Sequence, residues 1–258
     1  MPRLTDLTII RTALDSDREW AAYAIGDLDP QLVDKCEWHV ATDGASALLM
    51  LYRGFEPPIA FAMGDPAALA PLVREVDAPQ ISLHVRPDAV DAIARSYTVT
   101  FTRDMLRMSL SPDHFAPDAR EDVRPIGETD LPAVVQLYED GHRRSEGPVF
   151  FSAAMLQQRS FHGIWETGDL IAIAGTHLYS PALGVCAIGN VYTRSDRRGR
   201  GLAARTTSAV IAQALRDRIP TIVLNVSRSN VAAQRVYERL GFHVHCEFVE
   251  GEANRKAP

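Results

Sequence analysis

The chain has 258 residues, of which 46% are hydrophobic and 23% are charged, and its formal net charge is −6 at pH 7. This composition is typical of a globular protein with one large or two medium domains, and the acidic balance argues against a protein that mainly binds nucleic acid. The longest nearly apolar runs are only strand-sized, and the N-terminus has no apolar core like that of a signal peptide. We therefore expect a cytoplasmic protein without a membrane partner.

The cysteine pattern gives no sign of a metal centre. Cys36, Cys186 and Cys246 are far apart in the sequence, odd in number and without metal-ligand spacing. Such cysteines are typical of reduced, partly buried thiols in a cytosolic protein. No metal site is predicted.

The first half of the chain predicts short strands that alternate with helices. The predicted strands are residues 38–41, 46–52, 58–62, 81–85, 99–102 and 105–110, and the predicted helices are 66–76 and 87–97. Residues 111–125 are rich in Pro, Asp and Arg, which is typical of a connector. We therefore predict an N-terminal domain at residues 1–118 and a second domain at 119–258.

The second half predicts a mixed sheet with helices on its faces. The predicted helices are residues 128–140, 152–159, 201–216 and 230–240, and the predicted strands are 161–166, 170–179, 185–193, 221–226 and 242–250. Gly241 has the place of a helix-ending glycine. The order predicts an α/β (mixed α+β) fold class.

A local parallel between the halves suggests a duplication. Residues 81–85, followed by a helix that ends near Tyr97, are similar to residues 222–226, followed by a helix that runs through Tyr237. The sequence thus predicts a tandem of two related domains. In the first copy, Gly64, Asp65 and Pro66 stand where the second copy has its glycine turn. The Asp65 carboxylate opposes the positive field of a helix N-terminus, and Pro66 has no backbone N–H to donate. The first copy is therefore expected to lack an anion site.

A glycine turn before a predicted helix in the second half is the main candidate for a phosphate site. It consists of Arg198, Gly199, Arg200, Gly201, Leu202, Ala203 and Ala204. The glycines let backbone N–H groups approach a phosphate, and the helix N-terminus supplies partial positive charge.

Three other interpretations of this turn are weaker. It formally matches the dinucleotide fingerprint, but polar residues 194–198 separate it from the strand, and the next strand ends in Asn225 and Val226 without the acid that holds a ribose. No Lys-Ser/Thr pair follows, as a Walker loop requires. The local arginines lack interleaved aromatic residues, which disfavours a nucleic-acid patch.

Two motifs together resemble the Gcn5-related N-acetyltransferase (GNAT) superfamily. The first is Arg/Gln-x-x-Gly-x-Gly/Ala, which Arg198, Gly201 and Ala203 match. The second is Asn-x-x-Ala-x-x-x-Tyr-x-x-x-Gly-Phe, and every position is matched, by Asn230, Ala233, Tyr237, Gly241 and Phe242. The resemblance covers about residues 123–250, and the first half is similar to the divergent acetyltransferase-like N-terminal domains of some members.

The resemblance implies that acetyl-CoA lies between two parallel strands that splay apart. Its pyrophosphate would rest on the amides of residues 198–204, and its pantetheine arm would pair with the backbone of Val191, Tyr192 and Thr193. Asn230 matches a position that contacts this arm, although Asn is also a favoured N-cap.

The resemblance assigns Tyr237 as the general acid that protonates the departing thiolate. A phenol with a pKa near ~10 stays protonated at neutral pH and suits this role. The alternative is a packing role, because Tyr237 belongs to an apolar helical stripe with Ala233, Val236 and Leu240.

The general base is left open. Residues 187–190 on the strand before the glycine turn contain no acid, whereas family members often place a glutamate there. Glu146, His142, His177 or an ordered water remain as candidates. Residues 141–151 lie where the family binds its acceptor.

The sequence therefore predicts an acetyl-CoA-dependent N-acetyltransferase that acts by direct attack of an amine on the thioester. The acceptor would be a small-molecule or peptide amine, and the protein would be a monomer or homodimer. The alternative is a non-catalytic CoA-binding or regulatory module of the same fold.

Overall fold

The computed structural model describes residues 5–41, 46–118, 122–148, 150–158 and 160–257. The chain forms two compact units. Unit 1 comprises Met1–Arg107, Val226–Ser229 and Val244–Pro258, and unit 2 comprises Met108–Asn225 and Asn230–His243. The predicted domain boundary at 118/119 and the predicted helix end at Arg159 involve residues outside the described ranges, so both stay predictions.

The described residues of unit 1 form a mixed sheet with four α-helices. Its elements are α1 (Leu7–Asp15), α2 (Arg18–Gly26), β1 (Cys36–Val40), β2 (Ala47–Tyr52), β3 (Ile59–Gly64), α3 (Pro66–Arg74), β4 (Gln80–Val85), α4 (Val90–Ala94), most of β5 (Tyr97–Leu110) and most of β11 (His243–Arg255). The strand order is β1-β2-β3-β4-β11-β5. The pair β3–β4 is parallel, whereas β1–β2, β2–β3 and β4–β11 are antiparallel.

One face of this sheet is covered by α3 and α4. Leu69, Leu72 and Val73 of α3 are 1% exposed and pack on strand residues such as Leu49 and Leu83. The helix begins where the sequence favours it, because Pro66 occupies the first turn and Asp65 caps the amide of Ala67.

Three features of unit 1 differ from the sequence-based expectation. The helices α1 and α2 were not predicted, although Asp6 and Asp17 are N-caps of the favoured type. The strand β5 is continuous over 14 residues, where two strands were predicted. The helix α4 ends at Ala94, so Tyr97 begins a strand instead of ending a helix.

Unit 2 carries the rest of the sheet strands and helices. Its elements are β6 (Val123–Pro125), α5 (Leu131–Arg143), α6 (Ala154–Gln158), β7 (His162–Glu166), β8 (Asp169–Ser180), β9 (Val185–Thr193), α7 (Leu202–Arg216), most of β10 (Thr221–Ser227) and α8 (Val231–Arg239). The order is β10-β9-β8-β7-β6. Only β9–β10 is parallel among these pairs of described residues. The short strand β6 lies inside the segment predicted as a connector.

The same local plan occurs in both units, as the suggested duplication requires. A parallel strand pair is joined through a helix and followed by a second helix, namely β3-α3-β4-α4 and β9-α7-β10-α8. The helix N-terminus after β3 is already capped by the Asp65 carboxylate, which accepts from Ala67 N at 3.1 Å. This first copy therefore lacks an open anion site at that helix.

Trp20 fills the position in unit 1 where the parallel pair ends. The β3–β4 register ends at Phe61 and His84. The next carbonyl on β3, that of Ala62, accepts a 3.1 Å hydrogen bond from the buried Trp20 indole. The indole also packs on Phe61 and Phe248, with ring centroids 5.3 and 5.6 Å away. Side chains of the unit thus occupy the edge of β3.

Within the described residues, no helix combines the length and apolarity that crossing a membrane demands.

Candidate functional site

The strands β9 and β10 separate part of the way along their length. Their parallel register runs from Thr221–Val185 to Leu224–Ile188, while β9 continues to Thr193 and β10 to Ser227. The backbone of β9 beyond Ile188 is therefore not paired with β10. An extended ligand can hydrogen-bond such a strand edge.

A β-bulge accompanies this separation. Ile173 of β8 pairs with Tyr192 and Gly175 pairs with Gly189, so two residues of β9 oppose one of β8. Asn190, one of the two, has a φ of 53°, in the left-handed region. Bulges of this kind bend a strand and change the direction of its backbone groups.

Buried contacts hold the bulge in place. The Tyr138 hydroxyl of α5 donates to the carbonyl of Asn190 at 2.8 Å. The Asn190 amide nitrogen lies 3.8 Å from Met155 Sδ. Its Oδ1 is buried and has no hydrogen-bond partner among the described residues. Sequence reasoning missed Tyr138, because nothing local marks a contact across 52 residues.

The predicted glycine turn follows β9 after a short 3-10 helix (Ser195–Arg197) and leads into α7. Gly199 and Gly201 have φ values of 77° and 74°, which favour glycine, and a Cβ at either position would meet no atom within 4 Å. Gly201 is the N-cap of α7 and offers no side-chain cap. The first amides of the helix, from Leu202 to Ala204, lack intrahelical acceptors and are available to an anion.

Arg198 joins the turn to β9 and to the loop after α5. Its Nε donates to the carbonyl of Thr193 at 3.3 Å, and its Nη2 lies 2.5 Å from Glu146. Its guanidinium lies 5.7 Å from the centre of the Tyr192 ring. The Tyr192 hydroxyl donates to Asp140 at 2.8 Å. The structure thus brings Asp140 and Glu146 together with Tyr192 and Arg198, each of which lies 52 residues further along the chain than its partner.

Most of the other arginines near the turn are matched by acids. Arg197 and Arg200 both pair with Glu166, at 2.5 and 3.0 Å. Arg194 pairs with Asp169 and Asp196. Hydrogen bonds from Arg200 and Arg197 hold the pKa of Glu166 below its usual value. This balance removes much of the positive field that a nucleic-acid patch needs.

Tyr237 lies on α8 and is almost fully buried, at 8% exposure. Burial raises the pKa of its phenol to about 12. The ring packs edge-on against Phe242, with centroids 6.1 Å apart. The packing role and a protonated hydroxyl at neutral pH are therefore both present. Asn230 caps the same helix, with its Oδ1 accepting from Ala233 N at 3.1 Å.

The three side chains considered as general bases occupy different places. Glu146 is exposed, and the hydrogen bond from Arg198 lowers its pKa. His142 lies at the end of α5 with its ring against Gly147, where a Cβ would come within 2.5 Å of Nδ1. His177 is the extra residue at a second bulge, in β8, with its ring against Gly189. Glu146 is thus held as an ion-pair partner in this structure.

One group of metal-type ligands converges among the described residues. Asp17, Glu19 and His245 of unit 1 place ligand atoms within 4.8 Å of one another. Asp17 already accepts from His245 at 2.8 Å and from Arg86 at 2.5 Å. The guanidinium disfavours a cation at this carboxylate.

The sequence model of the acetyltransferase (GNAT) family matches residues 128–242. That range contains the strand separation, the bulge, the glycine turn and Tyr237. The chain therefore carries a GNAT acetyltransferase-family domain in its second half.

Solved structures show the same fold over nearly the whole chain. A GNAT-family protein from Novosphingobium aromaticivorans is 24% identical, with a TM-score of 0.61 and coverage of 92% of this chain and 97% of that one. A Drosophila protein is 15% identical, with a TM-score of 0.73 and 97% coverage of each chain. A tandem GNAT protein from the clavulanic acid biosynthesis pathway is 16% identical, with a TM-score of 0.58 and coverage of 98% and 97%. No curated protein matches in sequence. The tandem GNAT fold is confirmed.

Proposed function

We propose that unit 2 binds acetyl-CoA and transfers its acetyl group to an amine by direct attack. The observation that carries this proposal is a combination of two features: the edge of β9 beyond Ile188 is not paired with β10, and the next helix in the chain, α7, has an N-terminus without a side-chain cap. The first suits the amide groups of a pantetheine arm, and the second suits a pyrophosphate. The open space at Gly199 and Gly201 leaves room for that phosphate group.

Acetyl-CoA would supply an activated acetyl group as its thioester. The backbone of Val191, Tyr192 and Thr193 would align the pantetheine arm, with Asn230 contacting it from α8. The amides from Arg198 to Ala204 would hold the pyrophosphate. A backbone N–H of β9 would polarise the thioester carbonyl, because a donor aimed at the developing oxyanion stabilises the transition state.

Tyr237 would act as the general acid. As the amine forms its bond to the acetyl carbon and the carbon–sulfur bond breaks, the phenol would donate its proton to the sulfur. The raised pKa of about 12 keeps this proton on the hydroxyl at neutral pH. A general base would remove a proton from the amine. The candidates for this base are His142, His177, Glu146 and a water molecule. The hydrogen bond from Arg198 lowers the pKa of Glu146, which makes its carboxylate a weaker base in the present conformation.

The proposed setting is a cytoplasmic monomer or homodimer that acts on a small-molecule or peptide amine, without a nucleic-acid or membrane partner. A non-catalytic CoA-binding module is a second candidate. The ion-paired state of Glu146 and the lack of an acid at residues 187–190 favour it.

Thiol release from acetyl-CoA across a panel of amines separates the two functions. We expect amine-dependent release of one thiol for each acetylated product. Tight binding of CoA with no release for any amine would favour the non-catalytic module.

A further inference from the structure

The C-terminal part of α5 receives one side chain of β9, that of Tyr192, which is only 4% exposed. The Tyr192 hydroxyl donates to Asp140 Oδ2 at 2.8 Å. Its ring lies against Gly141, where an added Cβ would come within 3.0 Å of the ring and 2.8 Å of Gly147 Cα. Glycine is unfavourable inside a helix, and here it permits this close approach. Asp140 and Gly141 therefore hold both the hydroxyl and the ring of Tyr192.

The same carboxylate also reaches the segment that leads to the glycine turn. Ser195 N donates to Asp140 Oδ2 at 3.5 Å. Ser195 begins the 3-10 helix that precedes Arg198 and Gly199. One oxygen of Asp140 thus accepts from the end of β9 and from the start of the turn segment. All of these residues belong to unit 2.

The bond between Tyr192 and Asp140 joins a protonated phenol to a charged carboxylate. The hydrogen bond from Tyr192 holds the pKa of Asp140 below its usual value. Burial, together with the hydrogen bond to Asp140, raises the pKa of the Tyr192 phenol. Arg144 Nε lies 3.6 Å from the other oxygen, Oδ1, and so leaves Oδ2 to Tyr192 and Ser195. A charged acceptor makes this hydrogen bond stronger than a neutral one.

We propose that Asp140 is a positioning residue that sets the spacing between the backbone of β9 and the glycine turn for acetyl-CoA. The proposal rests on the proposed function, in which one ligand uses both places. Its pantetheine arm lies on residues 191–193 and its pyrophosphate on residues 198–204. A ligand that spans two places binds best when their separation is set before it arrives. A carboxylate repels a phosphate, so Asp140 acts through Tyr192 and Ser195 and not by contact with the ligand.

Calorimetry with acetyl-CoA, combined with thiol release, tests this role. Asp140→Ala should lower the affinity for acetyl-CoA by about 10-fold, as expected for one charge-assisted hydrogen bond, with kcat nearly unchanged. Asp140→Asn keeps an acceptor for the Tyr192 hydroxyl and should restore most of the affinity. If Asp140 acts only through its charge, both variants bind acetyl-CoA more tightly than the wild type, and the proposal is wrong.

The truncated substrate S-acetylpantetheine gives a readout that a general loss of stability would not produce. It lacks the pyrophosphate and uses the edge of β9 alone. Its kcat/KM should therefore change little in Asp140→Ala, whereas that of acetyl-CoA falls by about 10-fold. An equal loss with both substrates would show that Asp140 supports only the strand, which would overturn the spacing role.

Two further variants complete the test. Tyr192→Phe should reproduce most of the loss, and adding Asp140→Ala to it should weaken binding little further, because both remove the same bond. Fully additive losses would contradict the proposal. Asp217→Ala is the matched control, since Asp217 forms a comparable pair with Tyr179 near the C-terminal end of α7. It should leave the affinity for acetyl-CoA unchanged.

Hydrogen exchange without CoA separates this proposal from the proposed function. The Ser195 amide should exchange faster in Asp140→Ala than in the wild type, because it loses its acceptor. The Arg194 amide, which donates to the Ile171 carbonyl at 2.9 Å, should keep its rate. A chain that shows this difference but does not bind acetyl-CoA would contradict the proposed function and support the contact between Asp140 and the turn segment. Unchanged exchange at Ser195 would contradict that contact itself.

Discussion

The guanidinium of Arg198 lies 2.5 Å from the carboxylate of Glu146, across 52 residues of sequence. One partner belongs to the proposed phosphate turn, and the other was a candidate base from the loop after α5. The contact makes Glu146 a competitor for the group that would bind phosphate.

Replacing Glu146 by Gln should release Arg198. We expect CoA affinity to rise by a few-fold, since a surface pair is weak, and turnover to be retained. Calorimetry and thiol release measure the two quantities. Glu139→Gln is the control, because Glu139 is an exposed acid on α5 with Arg143 4.0 Å away. A large loss of turnover only in Glu146→Gln would instead identify Glu146 as the base.

The ion pair between Arg198 and Glu146 should break as the pH falls. Arg198 lowers the pKa of Glu146, so the pair is intact at neutral pH and is lost as pH falls through that lowered value. Its stabilising contribution is therefore present above the ordinary glutamate pKa. NMR titration of the Glu146 carboxyl should show a lower midpoint in the wild type than in Arg198→Gln. Equal midpoints would show that the pair does not persist in solution.

Tyr237→Phe should reduce turnover by about 100-fold, as expected for loss of a general acid, with little change in CoA affinity. Since the pKa of the phenol is about 12, Tyr237 keeps its proton up to about pH 10. Loss of this proton should therefore not reduce the wild-type rate at any lower pH. Tyr179→Phe is the matched control, because its hydroxyl pairs with Asp217 near the end of α7. Unchanged turnover in Tyr237→Phe would leave that side chain a packing role only.

Tyr138→Phe tests the bulge. The substitution leaves the buried carbonyl of Asn190 without its 2.8 Å donor, which should cost about 1–3 kcal/mol in the free energy of unfolding. Because the bulge directs the β9 backbone, CoA affinity should also fall. Chemical denaturation and calorimetry give the two effects, and a loss of stability with unchanged affinity would separate the bulge from cofactor binding.

The chain should bind one acetyl-CoA and not two. Trp20 donates to the Ala62 carbonyl beside the end of the β3–β4 pairing, and Asp65 caps the following helix. These contacts occupy the strand edge and the helix N-terminus of unit 1, whereas the corresponding strand edge and helix N-terminus of unit 2 are open. Calorimetry should give a stoichiometry of one for each chain, and a value of two would show that unit 1 also binds.

The second half was predictable because its signals are local. Gly199 and Gly201 mark left-handed positions by residue type, and the spacing of Asn230, Tyr237 and Gly241 follows one helix and its end. Most of the predicted strand and helix bounds there agree within about three residues, but the last strand continues to Arg255 instead of ending at Glu250, and β6 was not predicted.

The features of the fold and site that were not predicted depend largely on contacts between distant parts of the sequence, which local patterns do not reveal. Arg198 meets Glu146, and Tyr138 meets Asn190, across 52 residues in each case. The helix α2 was missed because its apolar residues lie on most of its sides, so the helical period is weak. The length of β5 was missed because the polar residues at 102–104 are typical of a turn, yet here they continue a strand.

The central claim is that the turn after β9 binds the phosphates of acetyl-CoA, and paired glycine variants test it most directly. Gly199 and Gly168 both have a positive φ and open space for a Cβ, so alanine at either should cost a similar ~1–2 kcal/mol of stability. Calorimetry with acetyl-CoA should show affinity reduced by about 10-fold or more in Gly199→Ala, where the methyl group obstructs the phosphate, and unchanged affinity in Gly168→Ala. Equal affinity in the two variants, or no binding by the wild-type chain at sub-millimolar concentration, would contradict the account.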